Sequence, residues 1–469
     1  MAAKRFVLIL LLVIPVLITP VLTTPALSQT PQLRMVVVLT RHGVRSPLSD
    51  STASPYASQP WPSLSDWQVA CPGDLTPRGT KLVQEMGIFY HAYYANKGLL
   101  PPVNQCPSSK VYIWSDNEER TLHTANALVA GMSQGISGCM MTVNNLPYTR
   151  PPHSGPNQCK ANNPNDYFFH PLAKPTRTGP IDAGKVTDAA NKINQEVPQL
   201  LTTYQPALQA MQNTLRCCDP KVCNGSKPCT LFNLNSQASN GDTKVSWKGM
   251  FSESSTDAEN FLLEYGNGMP CSLVGWGRVI YNSPDCNGAQ PFRTMQELHT
   301  LYFDKTNHDG YMAQIQGSNL ANQILLRLHQ SQNAYEPNPA PFVIYSGHDT
   351  DVASVAGLLH LKWSLPDLPD NDTPPAGALI FELWGGATPA TQSVRLYYVH
   401  QTLTQLRTLA PLSLQNPPSM VELQLPGCAQ PCPFMQFQTI MTGPGAILTN
   451  FTTTRPSGVV AKGKTAKKK

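Results

Sequence analysis

The chain has 469 residues, more than one hydrophobic core usually organises, so two domains, or one domain with a large insertion, are expected. Apolar residues make up 41%, too few for a polytopic membrane protein, and they recur throughout the body, which excludes global disorder although only 13% of residues are charged. The net charge of +5 sits at the ends: Lys4 and Arg5 lie in the N-terminal segment and Lys462, Lys464, Lys467, Lys468 and Lys469 in the tail, so the rest of the chain carries about −2 and does not support a general nucleic-acid-binding surface.

Residues 1–28 read as an export signal. Lys4 and Arg5 precede an apolar run from Phe6 to Leu22, and the small-residue stretch Pro25-Ala26-Leu27-Ser28 suits a signal peptidase. Pro15 and Pro20 interrupt the run, which counts against a retained membrane anchor, and no stable span is expected after cleavage. The twelve cysteines suit an oxidising compartment. Cys217, Cys218, Cys223 and Cys229 crowd together, but without paired knuckles or nearby histidines they favour disulfides over zinc. A secreted or periplasmic location follows.

In chain order, Leu33 to Thr40 is a β-branched run suited to a strand buried on both faces, and similar runs recur at Lys110 to Ser115 and Pro341 to Tyr345. Helical patterns follow the last two: Glu118 to Met132, with Leu122, Ala125, Leu128 and Val129 on one face, and Thr350 to Leu359. Repeated strand-then-helix units indicate an α/β sheet. Ala378 to Trp384 and Ser393 to Gln401, joined by a Gly-rich turn, form a plausible antiparallel pair. Between about 150 and 300 the pattern is a loop-rich start and then helices, including Ile181 to Val197 and Glu253 to Tyr265, with no convincing buried strand. The expected organisation is a large α/β domain from residues 29–150 and 301–451, with a central mixed sheet, and an inserted, mostly helical smaller domain at 151–300. Residues 452–469 read as a disordered Lys-rich tail.

The strongest chemical signal is Arg41-His42-Gly43-Val44-Arg45-Ser46-Pro47, directly after the first buried strand, where open α/β sheets bind their ligands. Guanidinium groups grip phosphate oxygens in bidentate fashion, and an imidazole between them can attack phosphorus. A lone Arg-His pair would more often be an ordinary basic loop; the added Gly, second Arg, Pro and strand position reverse that balance. Ser346-Gly347-His348-Asp349-Thr350-Asp351 repeats the strand, turn and helix start, so His348 and Asp349 are expected near the same sheet edge, with a helix N-terminus adding partial positive charge. A carboxyl group there, protonated at acid pH, can protonate a leaving alkoxide. His308-Asp309 has the same dipeptide but no preceding strand, and reads as a turn.

With Leu75-Thr76-Pro77-Arg78-Gly79, Glu119-Arg120-Thr121, Glu259-Asn260-Phe261-Leu262-Leu263, Gly275-Trp276-Gly277-Arg278 and the run from Trp363 to Phe381, these motifs span nearly the whole mature chain. Together they resemble the histidine acid phosphatase family, in its bacterial phytase and glucose-1-phosphatase branch. The resemblance implies a histidine phosphatase fold and a hydrolase of small phosphomonoesters, with His42 as nucleophile, Arg41, Arg45, Arg120 and His348 on the phosphoryl oxygens, and Asp349 as proton donor. It implies no metal or other cofactor. It also implies disulfides Cys106 to Cys139 and Cys428 to Cys432, the first worth about 3 to 4 kcal/mol in the chain-entropy model.

Three positions bear on substrate choice. Leu48-Ser49 stands where bacterial phytases usually have a basic residue, Asp351 stands where they usually have Asn, and Glu259 matches a pocket acid of the branch. If Asp351 faces the pocket, its charge would raise the pKa of Asp349 and repel a polyanion. Phytase, sugar phosphatase and broad-specificity phosphatase stay open at this point. The alternative from another class is a non-catalytic anion-binding protein, which would need neither His42 nor Asp349. The tail lysines can be a solvated end or a tether to an anionic surface.

Overall fold

The computed structural model describes residues 31–49, 56–148, 159, 166, 168–172, 181–217, 230–281, 285–329 and 340–448. The expected signal at 1–28 and tail at 452–469 lie outside the described residues, as do Cys218, Cys223 and Cys229. Among the described residues no helix is long and apolar enough to cross a membrane.

The central feature is an eight-stranded mixed sheet. The strands used below are β1 (Leu33–Arg41), β2 (Val111–Ser115), β3 (Val143–Asn144), a separate hairpin of β4 (Gln237–Asn240) and β5 (Val245–Lys248), then β6 (Phe342–Gly347), β7 (Ala378–Gly385), β8 (Gln392–His400) and β9 (Ser419–Leu423). The sheet order is β9, β8, β7, β1, β6, β2, β3, with the short strand Cys432–Pro433 also pairing with β8. Strands β1, β6 and β2 run parallel, with Val36 opposite Phe342 and Arg41 opposite Gly347. Strands β7 and β8 are the expected antiparallel pair. The carboxyl ends of β1, β6 and β2 therefore lie side by side, which delivers His42, His348 and Asp116 to one edge.

Strand alternation divides the core between the two faces of β1. Val36 and Val38 join Phe342, Ile344 and residues of two helices, α1 (Pro77–Asn96) and α2 (Glu119–Met132). Met35, Val37 and Leu39 belong to a cluster that runs on through the helical segment: α3 (Ala183–Thr203), α4 (Gln205–Leu215), α5 (Met250–Gly266), α6 (Phe292–Phe303) and α7 (Gly310–Leu328). Helix α8 (Asp349–Leu358) packs on the same side. The helical segment thus shares one continuous core with a face of the sheet.

Two local readings differ from the structure. The 150–300 region holds the β4–β5 hairpin, whose Val245 and Trp247 alternate onto a buried face; four-residue strands are too short to stand out by periodicity. Helix α3 continues past Pro198 to Thr203, although an interior proline costs about 3 kcal/mol. Val197, Leu200 and Leu201 pack against the core and hold that last turn. The described disulfides are Cys106–Cys139 and Cys428–Cys432, joined by Cys71–Cys159 and Cys271–Cys286.

Candidate active site

The two motifs meet at the sheet edge. His42 N–H donates to Gly347 O at 3.0 Å, and the rings of His42 and His348 lie edge to face at 5.6 Å. Close approach explains the motif glycines: a Cβ on Gly43 would lie 2.6 Å from Val83, and one on Gly347 2.5 Å from Asp351. His42 is 1% exposed. Its Nδ1 lies 2.9 Å from Gly43 O, and because a carbonyl only accepts, Nδ1 carries the proton and Nε2 keeps its lone pair. Burial, then Arg120, Arg41, Arg45 and His348, hold the imidazole well below its usual pKa, which favours the neutral ring.

Arg41 is fully buried and bonds Glu259, Thr373 O and, at 3.2 Å, Asp349. Arg45 reaches Glu259 at 4.0 Å and lines the cavity beside His42. Burial pulls Arg45 down to about 10, still charged at any acid pH. Arg120, at the start of α2, pairs with Glu118 and points Nη2 at His348 Nδ1, 3.4 Å away. His348 Nε2 donates to Asp116 Oδ2 at 2.8 Å. Of these, Arg45, Glu118, Arg120, Glu259, His348 and Asp349 line one cavity of about 690 Å³ with His42, whereas Arg41, Asp116 and Thr373 do not line it.

For Asp349 the structure corrects the expectation of a carboxyl that stays protonated unaided. Burial pushes it up, but the charges of Arg41, His299, Arg45 and His348 outweigh burial and bring it down to about 2. It lies at the N-terminus of α8, where its Oδ1 accepts the Thr350 N–H.

Of the residues expected to bear on substrate choice, Ser49 lines the cavity. Glu259 is buried against Arg41 and His299 and lines the cavity. Asp351 turns its Oδ2 back to cap the His348 N–H at 2.8 Å and lines a neighbouring cavity of about 360 Å³. It does not line the main cavity, so the condition on which it would raise Asp349 is not met. His308 closes a short π-helical turn, with Nε2 3.1 Å from Leu361 O, and does not line the main cavity.

Sequence reasoning missed Asp116, His170, His299 and Lys244. Asp116 Oδ2 accepts from both His348 and His170, the latter at 3.1 Å, which holds the acid far below the usual carboxylate range despite burial. Burial lowers His170, but the bond and charge of Asp116 more than offset this and raise it to about 9, a further cation at the cavity wall. The position of Asp116 after β2, like His42 after β1 and His348 after β6, was the available signal. His170, His299 and Lys244 carry no local pattern. Asp116, His170 and His348 have ligand atoms within 4.8 Å of one another, but both imidazoles already direct a ring nitrogen at the one carboxylate oxygen, the geometry of hydrogen bonding rather than metal ligation.

Buried acids also set a pH dependence of stability. Burial raises Asp351 and Asp372 to about 6 and, with the charge of Asp116, Asp166 to about 7. Such groups stabilise the fold fully below the unfolded value near 4, and the contribution is lost as pH rises through 6 to 7. Asp349, Glu259 and Asp116 are shifted down, and their contribution is lost instead as pH falls from about 4 towards 2. These acids alone put the maximum near pH 4; burial also lowers His42 and His400, whose contribution is lost as pH falls below about 6.5. Thermal unfolding should therefore peak between about pH 4 and 6, and because the raised acids outnumber these histidines the midpoint at pH 5 should lie a few degrees above that at pH 8. A midpoint that rises from pH 5 to pH 8 would contradict these burial effects.

A mixed α/β sheet with this histidine and arginine cluster at its strand ends is the architecture of a histidine phosphatase. The chain belongs to the histidine phosphatase superfamily (branch 2), whose family model matches residues 32–399, and it is a histidine acid phosphatase. It is 31% identical to phytase AppA of Escherichia coli K12 over 418 residues, covering 85% of this chain and 88% of that one. It is 24% identical to the glucose-1-phosphatase of Providencia rettgeri over 424 residues, covering 87% and 91%. Among solved structures, the Hafnia alvei phytase in complex with tartrate superposes with a TM-score of 0.74 at 32% identity, covering 89% of this chain and 99% of that one. The Citrobacter braakii phytase gives 0.73 at 30%, covering 87% and 97%.

Proposed function

We propose that this protein is an exported acid phosphatase that hydrolyses organic phosphomonoesters, as a phytase or a sugar-phosphate phosphatase, through a phosphohistidine at His42. The observation that carries the reading is a buried, neutral His42 with Nε2 bare, facing a cavity where Arg45, Arg120 and His348 converge and Arg41 backs Asp349. Nε2 attacks phosphorus, the P–N bond forms as the ester P–O bond breaks, and Asp349 protonates the departing oxygen. The Asp349 carboxylate then takes a proton from water as its oxygen attacks phosphorus, the P–N bond breaks, and phosphate leaves. The guanidinium groups stabilise charge on the transferring oxygens throughout.

The low pKa of Asp349 fits this cycle. A phosphoryl group bound in the cavity beside Arg45 and His348 offsets part of the pull that they, Arg41 and His299 exert on Asp349, and below a second phosphate pKa of about 6 the substrate itself arrives with a proton to pass on. The four described disulfides and the signal-like residues 1–28 support export to an oxidising compartment. The test is release of phosphate from p-nitrophenyl phosphate by purified protein. Turnover is expected at pH 4 to 5, and on a sugar phosphate, whose alkoxide needs a proton to leave, kcat/KM should fall above about pH 6 as the substrate loses its own. Purified protein without turnover would favour the anion-binding alternative.

A further inference from the structure

The phosphoryl cluster occupies one end of the cavity, and the remaining wall has its own chemistry. Helix α5 presents Glu253, Asp257 and Asn260 to this space, four and three residues apart and so on one helix face. Asp257 is only 8% exposed, yet it has no hydrogen bond or ion pair among the described residues. Its carboxyl oxygens are not among the fully enclosed ones, and Asp257 lines the cavity, so a group bound there can supply the missing partner. Burial and the negative charge of Glu253 push Asp257 well above the usual carboxylate range. In acid it is a neutral group that both donates and accepts, the complement of a hydroxyl.

The next turn of α5 supplies an apolar platform. Phe261 stacks on Trp61 at 5.4 Å, Trp61 leans on Trp276 at 4.7 Å, and Trp61 lines the cavity along with Tyr302. Ring faces beside hydroxyl-binding carboxyls suit a molecule with C–H faces and hydroxyl edges. Cations are sparse there: among the described lining residues beyond the phosphoryl cluster, Lys244 and His170 carry positive charge, Glu118 is paired with Arg120, and the mouth has Leu48 and Ser49.

We infer that Glu253, Asp257 and Asn260, with Trp61, form a hydroxyl-reading subsite that selects a singly phosphorylated sugar or polyol over a polyphosphorylated one. The inference rests on the phosphatase reading above and specifies its leaving group. A hydroxyl placed against Asp257 can both donate to and accept from the carboxyl, whereas a second phosphate in the same place meets the negative charge of Glu253. The sequence likeness to phytases would suggest the opposite preference.

The test compares kcat/KM at pH 5 for glucose 1-phosphate and myo-inositol hexakisphosphate. Their ratio cancels any change common to phosphoryl transfer. In the wild type the ratio should exceed about ten in favour of glucose 1-phosphate, and Asp257→Leu should lower it about ten-fold by removing the hydroxyl partner. Asp257→Asn, which still donates and accepts, should keep the ratio within about three-fold of wild type. Glu253→Lys, which reverses charge at an exposed position, should move the ratio towards the hexakisphosphate. A wild type at least as efficient on the hexakisphosphate, or a ratio unmoved by Asp257→Leu in protein that still melts cooperatively, overturns the subsite. Absence of p-nitrophenyl phosphate turnover by the wild type would instead overturn the phosphatase reading beneath it.

Discussion

Replacing His42 by Ala should reduce turnover of every phosphomonoester by roughly 10⁴-fold or more, because the group that forms the covalent bond is gone while the rest of the site persists. The loss is chemical rather than structural. His42 contributes one ring hydrogen bond, to its neighbour's carbonyl, and the three arginines are held independently by Glu259, Thr373, Ser46 and Glu118. His42→Ala should accordingly still bind inorganic phosphate by calorimetry. Wild type mixed with substrate and denatured in alkali, where a P–N bond survives, should carry one phosphoryl group on His42, and the variant none. Turnover by His42→Ala within ten-fold of wild type would remove the phosphohistidine mechanism.

Asp349→Asn should separate substrates by leaving group. A positioned general acid contributes about 10² to 10⁴ in rate when the departing oxygen is a strongly basic alkoxide. It contributes little for p-nitrophenolate, which leaves without a proton. The variant should thus lose about 100-fold or more on a sugar phosphate and far less on p-nitrophenyl phosphate. Asn keeps the shape of the side chain and can still accept the Thr350 N–H that Asp349 Oδ1 receives at 2.8 Å. An equal loss on both substrates would assign Asp349 to phosphate binding or to holding Arg41, which it meets at 3.2 Å.

The sequence by itself determined the strand-turn-helix units and the residues they carry. Leu33 to Thr40 and Pro341 to Tyr345 read as buried strands because β-branched runs require burial on both faces, and the Arg41-His42 and His348-Asp349 pairs follow directly from where those strands end. Such features depend on backbone and side chains a few residues apart, so they are written locally. What only the tertiary structure decided was convergence. Strand register set Arg41 opposite Gly347 and brought Asp116 under both His348 and His170, three stretches separated by up to 232 residues. Burial and surrounding charge then shifted the titrating groups: His42 lowered, Asp349 lowered to about 2, Asp257 raised. The direction of Asp351 was equally illegible, since a residue two places from Asp349 can face the phosphoryl site or cap its own helix, and helix α8 turns it to the His348 N–H. Electrostatic environment is a sum over neighbours in space, and neighbours in space are assigned by packing rather than by position along the chain.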